Sequence, residues 1–438
     1  MTTETESSSN KLGLWTSTSL VVGNMIGAGV FLMPSTLASF GSISLLGWAF
    51  SAIGTFFLAR VFSNLSRMLP GVTGGPYAYT RSGFGDFAGF LVAWSYAIAL
   101  SCANAAIVIS LVSALSTFFP VLATHPVAAV STGLCAIWIL TWLNTRGIVL
   151  SGRLQLITTL LKILPLVVIG IGGLFLIRAA NFHPFNSSGT PAFSAITTTA
   201  AFTVFALVGI ESAAIPAGNV LNPEKTVPRA TLLGLLIAVV VYLLGSISIM
   251  GLLPAQQLQH SVTPYADAAV LVFGPQTRYW VSAGIAIAAF GALNGWILIQ
   301  GQIPYAIAKD RLFPALFALE NKHHVPYVGM IVNSLLVSAF MVMNYTKGLV
   351  EQYKFLLLLA VFMVFIPYLF SSIAYLMVRL KMRERKGLTS AILLSLSAFT
   401  YSLWNIAGTG EKAVYGGFIG LMVSVPVYVW IVYKNREE

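Results

Sequence analysis

Charge is what this chain has least of. Only 8% of its 438 residues are Asp, Glu, Lys or Arg, while 57% are hydrophobic. A soluble domain carries roughly 25% charged residues, so this composition excludes a water-soluble globule. Cysteine is nearly absent. Cys102 and Cys135 both fall in apolar runs, which excludes a disulfide framework and a cysteine metal site. The histidines (His125, His183, His260, His323 and His324) all fall in loops. No apolar run holds a nucleophile triad, a phosphate loop or a set of metal ligands. A membrane enzyme would need such a constellation, so neither catalysis nor a cofactor or metal is expected.

What is present is a succession of apolar runs. They lie at about 14–38, 43–65, 87–119, 126–144, 155–178, 193–217, 230–253, 279–303, 327–346, 355–379, 389–408 and 413–433. Each is near the ~20 residues that a helix needs to cross a bilayer. The expectation is an all-α, polytopic membrane protein of twelve transmembrane helices, with the lipid bilayer as its solvent. The polar start, residues 1–13, lacks the basic n-region and short apolar core of a secretory signal and reads as a cytoplasmic tail.

The net charge of +11 would suit an anionic partner, but its distribution points elsewhere. With the N-terminus inside, only Arg178, Arg278, Lys347, Lys354 and Lys412 fall outside, and Lys162 lies in a span. Every other Lys and Arg falls on the inner face. That bias is a topology signal, so both termini are expected in the cytoplasm of an inner-membrane protein, and no nucleic acid is implied. The cluster from Lys381 to Lys386 is read the same way, with an anionic-lipid contact as the alternative.

Two runs are interrupted. Gly23-Asn24-Met25-Ile26-Gly27-Ala28-Gly29-Val30-Phe31 puts three glycines inside the first. By itself this suits either a close helix-packing face or unwound backbone at membrane depth, which is tolerated only against protein or a cavity. The sixth run contains Phe205-Ala206-Leu207-Val208-Gly209-Ile210-Glu211-Ser212 and ends at Pro216 and Gly218. The two occupy matching places if five helices are repeated with inverted topology, the best sequence pointer to a transporter's central site. That correspondence favours the functional reading of both.

Only Lys162 and Glu211 are charged deep within spans. Charges there are costly and usually paired or functional. Lys162 either snorkels to an interface or works inside the bundle. Glu211 either braces the helix break or acts as a proton relay, gate or substrate contact. Tyr96, Leu100 and Asn104 share a helical face, which either lines a cavity or ties helices together. Trp296, beside Asn294 and Gly295, sits mid-span, away from the interfaces that Trp prefers. Tyr368 follows Pro367, where a kink would free a carbonyl.

Several motifs in order resemble one family. The first-helix stretch above, Gly74-Gly75-Pro76-Tyr77-Ala78-Tyr79, Gly209-Ile210-Glu211-Ser212, Asn222-Pro223-Glu224-Lys225-Thr226-Val227-Pro228-Arg229-Ala230, Thr263-Pro264-Tyr265-Ala266-Asp267-Ala268-Ala269 and Gly301-Gln302 resemble the amino acid–polyamine–organocation superfamily. Within it the chain is most similar to bacterial basic amino acid/polyamine antiporters. The resemblance implies a five-plus-five inverted repeat (residues 14–378), two further helices and a cytoplasmic end (379–438), alternating access and a homodimer. It implies that Gly27, Ala28 and Gly29 receive a substrate carboxylate, with Asn24 beside them and Ile26 also among the substrate-binding residues. It also implies that Tyr96, Leu100, Asn104, Phe205, Val208, Trp296 and Ala360 line the pocket, and that Glu211, Tyr368 and Lys162 gate or couple it.

Three positions depart from those antiporters. Phe205 stands where a tryptophan is usual and offers a weaker π face to a cation. Ala360 stands where a serine occurs. Lys162 resembles the fifth-helix lysine of proton-linked members, whose ammonium takes the place of a sodium ion. These departures favour a sodium-independent carrier and argue against a strict arginine or polyamine substrate. The expected function is an amino acid antiporter. The alternatives are a proton-coupled importer of broader range and, from another class, a non-transporting sensor or channel.

Overall fold

The computed structural model describes residues 12–437, apart from 147, 216, 324, 344–348 and 385. Lys11, Pro216, His324, Lys347 and Arg385 therefore lie outside the described residues. Regular structure among the described residues is helical, with one isolated parallel bridge from Leu12 to Val220. In chain order the main helices are α1 (Leu14–Met25), α2 (Met33–Ala38), α3 (Ser44–Met68), α4 (Pro76–Phe84), α5 (Asp86–Leu115) and α6 (Pro126–Asn144). They continue with α7 (Ile148–Leu174), α8 (Ala192–Phe205), α9 (Pro223–Leu252), α10 (Pro264–Phe273) and α11 (Thr277–Lys309). The last are α12 (Tyr327–Met343), α13 (Leu349–Lys381), α14 (Leu388–Gly408), α15 (Glu411–Met422) and α16 (Ser424–Glu437).

Eight described helices are long and apolar enough to cross a membrane, or nine if the bent pair at the N-terminus is one span. That is fewer than the twelve apolar runs. The sixth run keeps only α8 as helix, because residues 206–215 turn instead of continuing. The fifth and ninth offer only shorter apolar helices, Leu161–Leu174 within α7 and α12 itself.

α5 is apolar all round, and a helix of that kind belongs in the interior. It is 89% buried over its most apolar window, against 22% for the last span, Glu411–Lys434. α13 and α11 pack along α5, while α9 packs on α1, α3 and α7. The molecule is thus layered around α5, with the last span at the periphery and lipid-facing side chains such as Trp430 and Phe418 exposed there.

The first run breaks as its glycines foretold. α1 stops at Met25, Gly27 is extended (φ −81°, ψ 170°), and a 3-10 turn over Ala28–Leu32 leads into α2. The segments Leu14–Met25 and Val30–Ala38 are bent by 45°. The second break starts at Phe205. Gly209 has φ +112°, a conformation that suits glycine and strains other residues.

Candidate binding site between the two helix breaks

A helix end leaves four carbonyls without intrahelical partners. In α1 these belong to Val22, Gly23, Asn24 and Met25. Ile26 N–H donates to the Val22 carbonyl at 2.8 Å. Lys162 Nζ donates to the Gly23 carbonyl. Trp296 Nε1 donates to the Asn24 carbonyl at 3.3 Å. Tyr242 OH reaches the Met25 carbonyl at 2.6 Å, and Gly27 N–H reaches it at 2.7 Å. Side chains from α7, α11 and α9 therefore hold the broken end in place. Lys162 is fully buried and turns inward, which overturns the snorkelling alternative. Its Nζ also lies at the carbonyl end of α1, where positive charge is favoured.

The second break abuts the first. A Cβ on Gly209 would meet Met25 N at 3.3 Å, and Trp296 Cζ2 and Asn24 C at 3.4 Å. Asn24 Nδ2 donates to Ser212 Oγ at 3.1 Å. Beyond it, Gly74 N–H donates to the Ile215 carbonyl at 3.2 Å, and Gly75 adopts φ +51° against Ile215. The Gly-Gly-Pro motif thus lets the start of α4 lie against the end of the second break.

Glu211 projects from the second break and is fully buried. Tyr368 OH of α13 donates to Oε2 at 2.6 Å, and Tyr96 OH of α5 donates to Oε1. An acid with both oxygens accepting is satisfied. Helices α5 and α13 are joined through this residue. The Tyr368 ring is packed edge-on by Phe62 and Phe365 at 5.4 and 5.2 Å.

Between the breaks lies a small cavity lined by Asn24, Met25, Gly27, Val30, Ala103, Ile107, Phe205, Ala206, Val208 and Trp296. No acidic or basic side chain is among them. Of the residues singled out in the sequence, Asn24, Gly27, Phe205, Val208 and Trp296 are in this wall. Ala28 and Gly29 form the 3-10 turn that follows Gly27. Ile26, Leu100 and Ala360 are buried but outside the lining. Phe205 meets Tyr353 of α13 edge-on at 6.4 Å, a neighbour that sequence spacing did not single out.

Asn104 also lies behind the wall. Its Nδ2 donates to Gln300 Oε1 of α11 at 2.7 Å, so it ties helices together. The cavity face of α5 is instead Ala103 and Ile107, four residues apart and hence on one side of a helix. Met25, Val30 and Ala206 were missed as well. Each adjoins a residue that the sequence did single out, but apolar side chains carry no mark of a cavity. Among the described residues, no group of three His, Cys, Asp or Glu side chains comes together.

An all-helical bundle with apolar spans and two interrupted segments around a small cavity has the build of a membrane transporter. The same fold occurs in a Na+-coupled sialic acid symporter solved in a substrate-bound outward-open state, with a TM-score of 0.58 and 12% identity over 90% of this chain and 89% of that one. It occurs also in Mhp1, a nucleobase-cation-symport-1 family transporter in a closed conformation, with a TM-score of 0.57 and 15% identity over 97% and 94%. Identities this low show the fold alone.

The chain matches the Amino acid permease family over residues 12–432 and belongs to it. Among its relatives is the cadaverine/lysine antiporter of Escherichia coli (strain K12), 32% identical over 99% of this chain and 97% of that protein. Another is the arginine/ornithine antiporter of Pseudomonas aeruginosa, 31% identical over 93% and 88%. The putrescine transporter PotE of Haemophilus influenzae is 30% identical over 97% and 98%.

Proposed function

We propose that this protein is a sodium-independent antiporter of the cell membrane that exchanges a basic amino acid for a related amino acid or amine by alternating access. The observation that carries the reading is the meeting of both helix breaks at one small cavity, in a chain colinear with the antiporters named above. In the proposed architecture, residues 14–378 form a five-plus-five inverted repeat within twelve spans. Residues 379–438 add two helices and a cytoplasmic end, and residues 1–13 form a cytoplasmic tail. The charge bias of the loops supports that orientation, and the functional unit is taken to be a homodimer.

The substrate carboxylate is received at the N-terminal turn of the 3-10 segment Ala28–Leu32, where backbone N–H groups favour an anion. The first break's carbonyls at Gly23, Asn24 and Met25 already accept hydrogen bonds. The substrate amine is therefore assigned to carbonyls of the second break. The side chain lies against Phe205, Val208, Ala103 and Trp296, where π faces and dipoles attract a cation. Glu211, with Tyr96 and Tyr368, is the proposed gate. The Lys162 ammonium at the Gly23 carbonyl supports independence from sodium, because it supplies a cation at the helix break.

The same lysine favours a second reading, a proton-coupled amino acid importer. Counterflow in liposomes separates the two. Uptake that requires internal substrate supports exchange, and uptake driven by a pH gradient alone supports import. Binding without flux would eliminate both in favour of a sensor.

A further inference from the structure

A buried amide pair behind the cavity wall bears on selectivity, on the premise of the transport reading above. We propose that Gln300 is a specificity-determining positioning residue. It locks the Asn104 amide with its carbonyl oxygen reserved for a hydrogen-bond donor, so that the site favours substrate side chains ending in a cationic N–H group.

The lock follows from which groups can only accept. Gln300 Nε2 donates to the Met330 backbone carbonyl at 3.4 Å and to Ser334 Oγ at 3.1 Å. A backbone carbonyl has no proton to give, so the NH2 group of Gln300 must face α12. Its Oε1 must then face α5. That oxygen also only accepts, so Asn104 must present Nδ2 to it, as it does at 2.7 Å. Flipping the Asn104 amide would set two acceptors against each other.

The surroundings hold Gln300 in that orientation. Ser334 Oγ pairs with Thr141 Oγ1 of α6 at 2.7 Å. Asn333 Nδ2 donates to the Gln300 backbone carbonyl at 2.9 Å, and Ser101 Oγ donates to Asn333 Oδ1 at 3.2 Å.

Asn104 Oδ1 is consequently turned away from Gln300. It is buried, and no described residue donates to it. A buried acceptor without a partner is costly, and a donor from a ligand would remove that cost. The position suits such a ligand. Asn104 adjoins Ala103 and lies one turn from Ile107, and both line the cavity. Gln300 follows Trp296, another lining residue, by one turn of α11. No carboxylate lines the cavity, so this oxygen is the polar side-chain group set aside for a cationic end. It would equally repel an anionic one.

The test uses purified full-length protein in liposomes and compares substrates with neutral analogues of similar shape. The probes are lysine with norleucine and arginine with citrulline. Wild-type protein should bind the cationic member of each pair about tenfold more tightly or better, as expected for one hydrogen bond to a charged group. Gln300→Met keeps the volume but frees the amide, and should cut that ratio about tenfold. Adding Asn104→Asp to Gln300→Met should restore the preference, because both carboxylate oxygens accept in either orientation.

A residue that merely tied α5 to α11 would leave the ratio unmoved in Gln300→Met and could not be rescued in this way. Either result overturns the proposal. Equal wild-type binding of lysine and norleucine overturns it while sparing the transport reading. Failure of wild-type protein to bind any of the four removes the transport reading, and this inference with it. If Gln300→Met does not give monodisperse protein, Asn104→Leu reads the same ratio, and an unchanged preference there counts against the lock.

Discussion

Lys162 and Glu211 are ionisable side chains with no exposed surface, and each is answered by specific partners. Lys162→Ala would strip the donor from the Gly23 carbonyl and open a void. An orphaned buried acceptor alone costs about 1–3 kcal/mol. The expected outcome is a lower thermal midpoint together with at least a tenfold fall in counterflow, as about one hydrogen bond's loss would produce. Wild-type flux in a well-folded Lys162→Ala protein would remove the lysine from the mechanism.

Around Glu211, Tyr96→Phe and Tyr368→Phe each delete one hydrogen bond to a carboxylate, worth about 1.5–3 kcal/mol. Because both phenols serve one acid, their effects should not add. A double-mutant cycle by denaturant unfolding should give a coupling of about 0.5–3 kcal/mol. Additive effects would mean that the two bonds act independently.

At the scale of elements, the two breaks are one unit. Gly209 is the contact point: its φ of +112° suits glycine, and a Cβ there would approach Met25 N to 3.3 Å. Gly209→Ala combines backbone strain with a tight approach to Met25 N, and should cost about 1–3 kcal/mol while slowing exchange. Gly416→Ala is the matching control. A Cβ there meets nothing within 4 Å, and a helical Gly→Ala change gains up to about 1 kcal/mol. Thermal unfolding of both variants tests the contrast. Equal midpoints would show that the breaks do not depend on the approach of Gly209 to Met25.

At the scale of the whole molecule, α4 is tied to the start of α5 and to the end of α11. Tyr77 OH donates to Asp310 Oδ2 at 2.6 Å, and Arg81 pairs with both Asp310 and Asp86 at 2.7 Å. Burial, and then the carboxylate of Asp310, push the Tyr77 phenol above its usual range, so it remains a donor near neutral pH. The Arg81–Asp310 pair is about one-third exposed on each side. Such pairs contribute about 0–1 kcal/mol and weaken in salt. Asp310→Asn should therefore shift stability by less than about 1 kcal/mol, and by less still at high ionic strength. Denaturation at two salt concentrations checks this, and a larger, salt-insensitive loss would count against it.

The proposed topology is testable on the same scale. A membrane-impermeant maleimide should label Lys412→Cys in intact cells, but Arg436→Cys only after permeabilisation. The reverse pattern would invert the assigned orientation.

The sequence alone determined the all-helical membrane class, marked where both breaks could fall and singled out the two ionisable residues within spans. Each of these follows from local chemistry. Long apolar runs are intolerable in water, glycine clusters weaken a helix where they stand, and a lone charge in an apolar run stands out. What meets what was decided only by tertiary packing. Glu211 lies 115 residues from Tyr96 and 157 from Tyr368, and no periodicity encodes such pairings. The rotation of α5 was equally hidden. A helix apolar all round has no polar side to set its azimuth, so Tyr96, Leu100 and Asn104 marked a face while Ala103 and Ile107 reached the cavity. The opening glycines named where the backbone yields. Lys162, Trp296 and Tyr242, brought in from three other helices, decided what holds it there.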